Sequence, residues 1–177
     1  MSAEYVADAM QRAEVVLRRR PDMGLHDDAA ATARWRGNTR IVTSHSNGIE
    51  IPTDMPGELG GTGDQVTPGW LMRAGLAACT ATRIAMGAAA AGIELTALEL
   101  RATSRSDTRG LLGMNEADGT PVGAGPRDVQ LSVTIAARGV SAERLRALVE
   151  ESHRCSPVPC AMQEETPVEL HVEVIDD

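Results

Sequence analysis

The stretch from Thr67 to Gly92, "TPGWLMRAGLAACTATRIAMGAAAAG", constrains the fold of this 177-residue chain more than any other. Thr as N-cap followed by Pro at the first helical position opens a helix, and Gly92 is placed to end it. At 1.5 Å per residue the helix runs roughly 35 Å, enough to cross a small domain. Ala, Gly, Leu, Met or Ile stands on nearly every face, so the helix belongs at the centre of the fold. Gly75, Cys79, Arg83 and Gly87 recur four apart, a stripe of small residues that lets another helix come close. A membrane span is excluded, because Arg83 sits at its centre and alanine is only weakly apolar.

The rest of the chain must wrap this helix. Residues 2–20 form an amphipathic helix, with Val6, Ala9, Met10, Ala13, Val16 and Leu17 at helical spacing, Ser2 as cap and Pro21 as stop. With the linker that follows, it makes an N-terminal extension over residues 1–28; a single domain covers 29–177. Short strands in "ATARW", "TRIVTS" and "IEI" are divided by the turn signals "RGN" and "SNG", and "TDMPGELGGTGDQV" is loop. After the long helix, "IELTALELRATSRS" and "DVQLSVTIAA" are extended, with a Gly-rich stretch at 107–126 between them. Ser141 caps a further helix, and Ser156–Pro157 opens a short one. In "PVELHVEVI" the alternation predicts a closing strand with Val168, Leu170, Val172 and Val174 inward. Strands and helices segregate, so the class is α+β with antiparallel sheet.

Composition narrows the function. The net charge of −8 lacks the basic footprint of nucleic-acid binding and argues against anionic membranes. Lysine is absent, which excludes Schiff-base and P-loop chemistry. The N-terminus lacks the basic and apolar regions of a signal peptide, so a cytoplasmic protein with free thiols is expected. The "GGTG" run has no Gly-Lys-Ser/Thr after it, and no cofactor or metal is expected: Cys155, Cys160, His153 and His171 do not have zinc spacing.

Three thiols remain as chemistry. Cys79 reads either as a small core residue or as a nucleophile. Arg83, one turn on, would favour its thiolate, or else pairs with a carboxylate or snorkels to water. In "HRCSPVPCAM", Cys155 stands just before the short helix and Cys160 near the end of its first turn, on the side of Ser156.

Taken together, "TPGWLMRAGLAACTATRIAMGAAAAGIEL", "CSPV" and "TPVELHVEV" resemble the OsmC/Ohr family over roughly residues 29–175. The resemblance implies an intertwined homodimer, antiparallel sheets wrapped around two long central helices. It also implies thiol-dependent reduction of organic hydroperoxides in oxidative or osmotic stress, with an external dithiol as reductant. Carried onto this chain, Cys79 is the peroxidatic cysteine. The family's second cysteine falls at Ser156, so Cys160 (a shift of four that keeps the helix face) or Cys155 would resolve the sulfenic acid. The family's acid after the helix-opening Pro falls at Gly69, with Trp70 beside it. Arg36 or Arg40 would then be the partner arginine, or Arg83 in their place. Trp70, Leu71 and Ser156, with Leu111, Leu112 and Met114, would line the substrate pocket. The other reading is a non-catalytic dimer of the same fold that binds an apolar small molecule.

Overall fold

The structure is a computed structural model describing residues 3–164 and 166–175. Its centre is α2, Pro68–Ala90. Thr67 Oγ1 accepts from Trp70 N, as the cap motif predicts. At the far end Gly92 adopts φ +65°, Gly92 N donates to Ala89 O and Ile93 N to Ala88 O. This glycine-dependent ending satisfies two of the last carbonyls.

Two strands cover one side of α2. β4 (Leu95–Arg105) and β5 (Arg127–Ala137) pair antiparallel, with Leu98 opposite Ile135 and Leu100 opposite Val133. α4 (Ala142–Arg154) is capped by Ser141, whose Oγ accepts from Arg144 N. It seats on α2 at Gly87, where an added Cβ would lie 3.0 Å from Leu148 Cδ1 and 3.1 Å from Ser152 Oγ. Ile84, Ala88, Ile93, Leu145 and Leu148 form the core there, with the apolar faces of β4 and β5 packed on it. Half of the small-residue stripe is thus used within the chain. Gly75, at its other end, meets nothing within 4 Å.

β1 (Thr32–Trp35), β2 (Ile41–Ser44) and β3 (Glu50–Thr53) make an antiparallel meander in that order. It stands off from the α2–β4–β5 body and is tied to the loop before α2 by the bridge of Thr53 with Val66 and by hydrogen bonds of Arg40 and Asp54 to Thr62 and Asp64. α1 (Ala3–Arg19) lies against α2, yet none of its residues is buried; the Ser2 cap lies outside the described residues. A 3₁₀ turn at Pro21–Gly24 follows α1. Within the Gly-rich stretch lies α3, Thr108–Leu111, capped by Asp107. The Asp107 carboxyl is held below its ordinary pKa by hydrogen bonds from Arg109, which also bonds Glu116.

The closing strand is a correction. Residues 166–175 form no strand, and Val168, Leu170, Val172 and Val174 are 77–90% exposed. A strand exists only as a partner in a ladder, and neither β4 nor β5 pairs with this segment. Its alternation marks a face to be covered, and no other described residue covers it.

Candidate functional site

Cys79 lies midway along α2, half-buried. What faces its sulfur is set by α5, Pro157–Gln163, which packs against α2. The Val158 N–H donates to Cys79 Sγ at 3.5 Å. A backbone donor fixed between Pro157 and Pro159 has little freedom to turn away, and such a bond strengthens when the sulfur carries charge.

Ser156 holds that helix in place. It is fully buried and its hydroxyl donates to Ser152 O at 2.8 Å, so it fastens α5 to the last turn of α4. It does not cap α5 with its side chain. Cys160 Sγ, half-buried, donates to Arg154 O at 3.3 Å, and Cys155 is exposed. All three thiols are free.

The arginines divide. Arg83 Nη1 turns toward Gly87, one turn away on the side opposite Cys79, and is buried without a hydrogen-bond partner among the described residues. Arg40 is engaged: its Nη2 reaches Asp54 Oδ2 at 3.0 Å and Asp64 Oδ1 at 2.5 Å. Arg36, in the turn after β1, keeps its side chain exposed while its N–H donates to Arg40 O. Arg73 Nη1 bonds Ser104 Oγ and lies 3.8 Å from where a Cβ on Gly69 would be. A cation thus borders the position where an acid was expected.

Trp70, Leu111, Leu112 and Met114 are 47–61% exposed and Leu71 is half-buried; none of them lines the apolar cleft beside α5. That cleft, about 440 Å³, lies between α2, α4, α5 and β5. Its walls include Leu76, Leu131, Val133, Pro159 and Met162, and His153 stands at its rim within 3.4 Å of Gln163. Thr80, beside Cys79 in the chain, lines it too; Thr80 is fully buried and its Oγ1 has no partner among the described residues. Cys79 does not line this cleft.

The strongest electrostatic feature is one that motif reading missed. Asp54 is 2% exposed and accepts from Thr39 Oγ1, Arg40 Nη2, Met55 N, Thr62 N and Thr62 Oγ1. The Thr39 hydroxyl first, then the Thr62 hydroxyl and N–H, hold its carboxyl well below the usual range. This knot ties the β-meander to the loop that delivers Thr67. Gly61 is required inside it, since an added Cβ would fall 1.8 Å from Met55 O. The signal available was the Gly-Gly pair shortly before the Thr67–Pro68 helix start.

A family model described as OsmC-like protein matches residues 61–171, from this loop through α2 and α5. The chain belongs to the OsmC-like family. Solved structures agree in fold. An OsmC-like protein from Mycoplasma pneumoniae superposes with TM-score 0.65 at 20% identity, over 80% of this chain and 91% of that one. An organic hydroperoxide resistance protein, OsmC, from Legionella pneumophila gives 0.56 at 21% identity, over 78% and 92%. An organic hydroperoxide resistance protein from Elizabethkingia anophelis gives 0.57 at 21%, over 80% and 91%. At these identities the likeness is one of fold. No curated protein matches this OsmC-like chain in sequence. The α+β class with small antiparallel sheets is that of its relatives, and no described helix is long and apolar enough to cross a membrane.

Proposed function

We propose that this chain reduces organic hydroperoxides by thiol chemistry, with Cys79 as the nucleophile, in cytoplasmic oxidative or osmotic stress defence. The observation that carries the reading is the Val158 N–H held at Cys79 Sγ in the middle of α2. The Cys79 thiolate attacks the hydroperoxide, the O–O bond breaks, and the alkoxide leaves as the alcohol after taking a proton. Cys79 is left as a sulfenic acid. The Cys160 thiol condenses with it, releasing water and forming a disulfide, which an external dithiol reduces.

The assembly belongs to the same proposal. The β-meander stands apart, Gly75 faces open space, and Trp35, Ile51 and Val168 are exposed. These support an intertwined homodimer in which two α2 helices meet and the meander reaches the second copy. Arg40 is tied to Asp54 and Asp64, so Arg36 is the early-strand arginine that serves the sulfur. Trp70 and Leu71 then give the entrance an apolar wall.

Consumption of cumene hydroperoxide with dithiothreitol present tests the reading. Wild type turns over, and Cys79→Ser loses at least about a hundredfold, as expected when a nucleophile is removed. Equal inertness of both proteins toward alkyl and lipid hydroperoxides overturns it. The apolar cleft beside Thr80 would then favour a binding role for the same fold.

A further inference from the structure

We propose that Cys155 and Cys160 are a dithiol relay, which passes the oxidation of Cys79 to the protein surface. The inference rests on the peroxidase reading and adds to it an exit for the oxidising equivalents.

The placement follows from how α5 begins. Ser156 is the N-cap and Pro157 the first helical residue. Cys155 is therefore the residue before the cap, and Cys160 is the fourth helical residue. Side chains at those two positions meet across a helix start, where apolar pairs commonly staple the entering chain. Here both are thiols. The hydrogen bond of Cys160 sets an upper limit on the distance. Its sulfur lies 3.3 Å from Arg154 O, and that oxygen shares a planar peptide with the Cys155 Cα, about 2.8 Å away. The Cys160 sulfur is thus within about 6 Å of the Cys155 Cα. The Cys155 sulfur sits about 2.8 Å from its own Cα, so its rotation brings the two thiols close together, and the S–S bond closes when Cys160 also leaves its hydrogen bond to Arg154 O.

The loop between them suits the task. Ser156 is fastened to Ser152, and Pro157 and Pro159 have fixed φ. The residue between the prolines is Val158, which gives its N–H to Cys79. One short stretch, Cys155 to Cys160, therefore carries the amide at the first sulfur and both thiols of the second pair. Exposure rises along the path, from half-buried Cys79 and Cys160 to exposed Cys155. A bulky reductant reaches only the last easily.

The steps balance. Cys79 sulfenic acid and the Cys160 thiol give the Cys79–Cys160 disulfide and water. The Cys155 thiolate attacks the Cys160 sulfur, the Cys79–Cys160 bond breaks, and Cys79 departs as thiolate, ready for another hydroperoxide. The new Cys155–Cys160 disulfide takes two electrons and two protons from an external dithiol.

Trypsin makes the test direct. It cuts at arginine and releases residues 74–83 with Cys79, and residues 155–177 with both other thiols. The reduced full-length protein receives one equivalent of cumene hydroperoxide without reductant, is alkylated, digested and weighed. In wild type, the 155–177 peptide should be two hydrogens lighter and unalkylated, with 74–83 free and alkylated. Cys155→Ser should instead accumulate 74–83 cross-linked to 155–177, while Cys79→Ser should keep 155–177 as a dithiol. A wild type that consumes hydroperoxide but stops at the cross-link, or leaves Cys155 reduced, overturns the relay and spares the peroxidase reading. A Cys155–Cys160 bridge that forms as fast in Cys79→Ser also overturns the relay. A wild type that consumes no hydroperoxide overturns both.

Discussion

Gly69→Glu puts a carboxylate where the family resemblance expects one, and its effect on stability can be worked out from the surroundings. Gly69 is the second residue of α2 and exposed; an added Cβ meets only Arg73 Nη1 at 3.8 Å and Thr67 Oγ1 at 3.9 Å, ordinary contacts. Replacing glycine by a better helix former contributes about 0.5 kcal/mol in a frayed first turn. An acid in the first turn, where α2 has none, adds about 0.5 kcal/mol against the helix dipole. The introduced carboxylate, four residues before Arg73, has the favourable orientation for an exposed pair and adds about 0.3 kcal/mol. The gain is roughly 1.3 kcal/mol, which for a chain of this size raises the melting temperature by about 3–5 °C. Thermal unfolding by circular dichroism in low salt measures it, with Gly69→Ala as reference for the propensity share. About half a molar salt should bring the two variants together, because the charge contributions are screened and propensity is not. If Gly69→Glu is no more stable than Gly69→Ala in low salt, the placement of Arg73 over the first turn is wrong.

Thr80→Val exchanges a fully buried hydroxyl without a partner among the described residues for a methyl of similar size, and should stabilise by about 1–2 kcal/mol in urea unfolding; destabilisation would mean that Oγ1 is satisfied. Asp54→Asn tests the knot beneath the helix start through pH. The folded carboxyl titrates below its unfolded value, so its contribution is complete above about pH 4, declines as acid is added, and vanishes below the folded pKa. The gap between wild-type and Asp54→Asn urea midpoints should therefore be wide at pH 7 and measurably narrower at about pH 3. A gap of constant width would remove Asp54 from that role.

Local chemistry made much of the fold legible. Thr67–Pro68, Gly92, Ser141 and Ser156–Pro157 mark helix ends because a cap is decided by one or two residues. β5 was legible because apolar and polar residues alternate from Val129 to Ile135. What failed depends on distant partners. Alternation in residues 166–175 states which side seeks cover but not where the cover comes from. The site shows the same division. Cys79 could be singled out from its helix, but the amide facing it comes from residue 158, 79 positions away. The direction of Arg83 was invisible too. Spacing of four allows contact with Cys79 or with Gly87, and the room left by Gly87 beside α4 decided it. Asp54 escaped because nothing local distinguishes it from the other acids; the hydroxyls of Thr39 and Thr62 that lower its pKa come from separate turns.

The exposed segment 166–175 carries its own protection. Alternation that leaves Val168, Leu170, Val172 and Val174 in water puts Glu169, His171 and Glu173 on the opposite side, where His171 lies 3.6 Å from Glu169. Two such segments stacked in parallel register would set each glutamate against its own copy, about 4.8 Å away. Like charges at that spacing oppose the in-register stacking by which sticky strands grow into fibrils. The chain can thus present an uncovered apolar ribbon to a dissimilar strand and still resist templating itself.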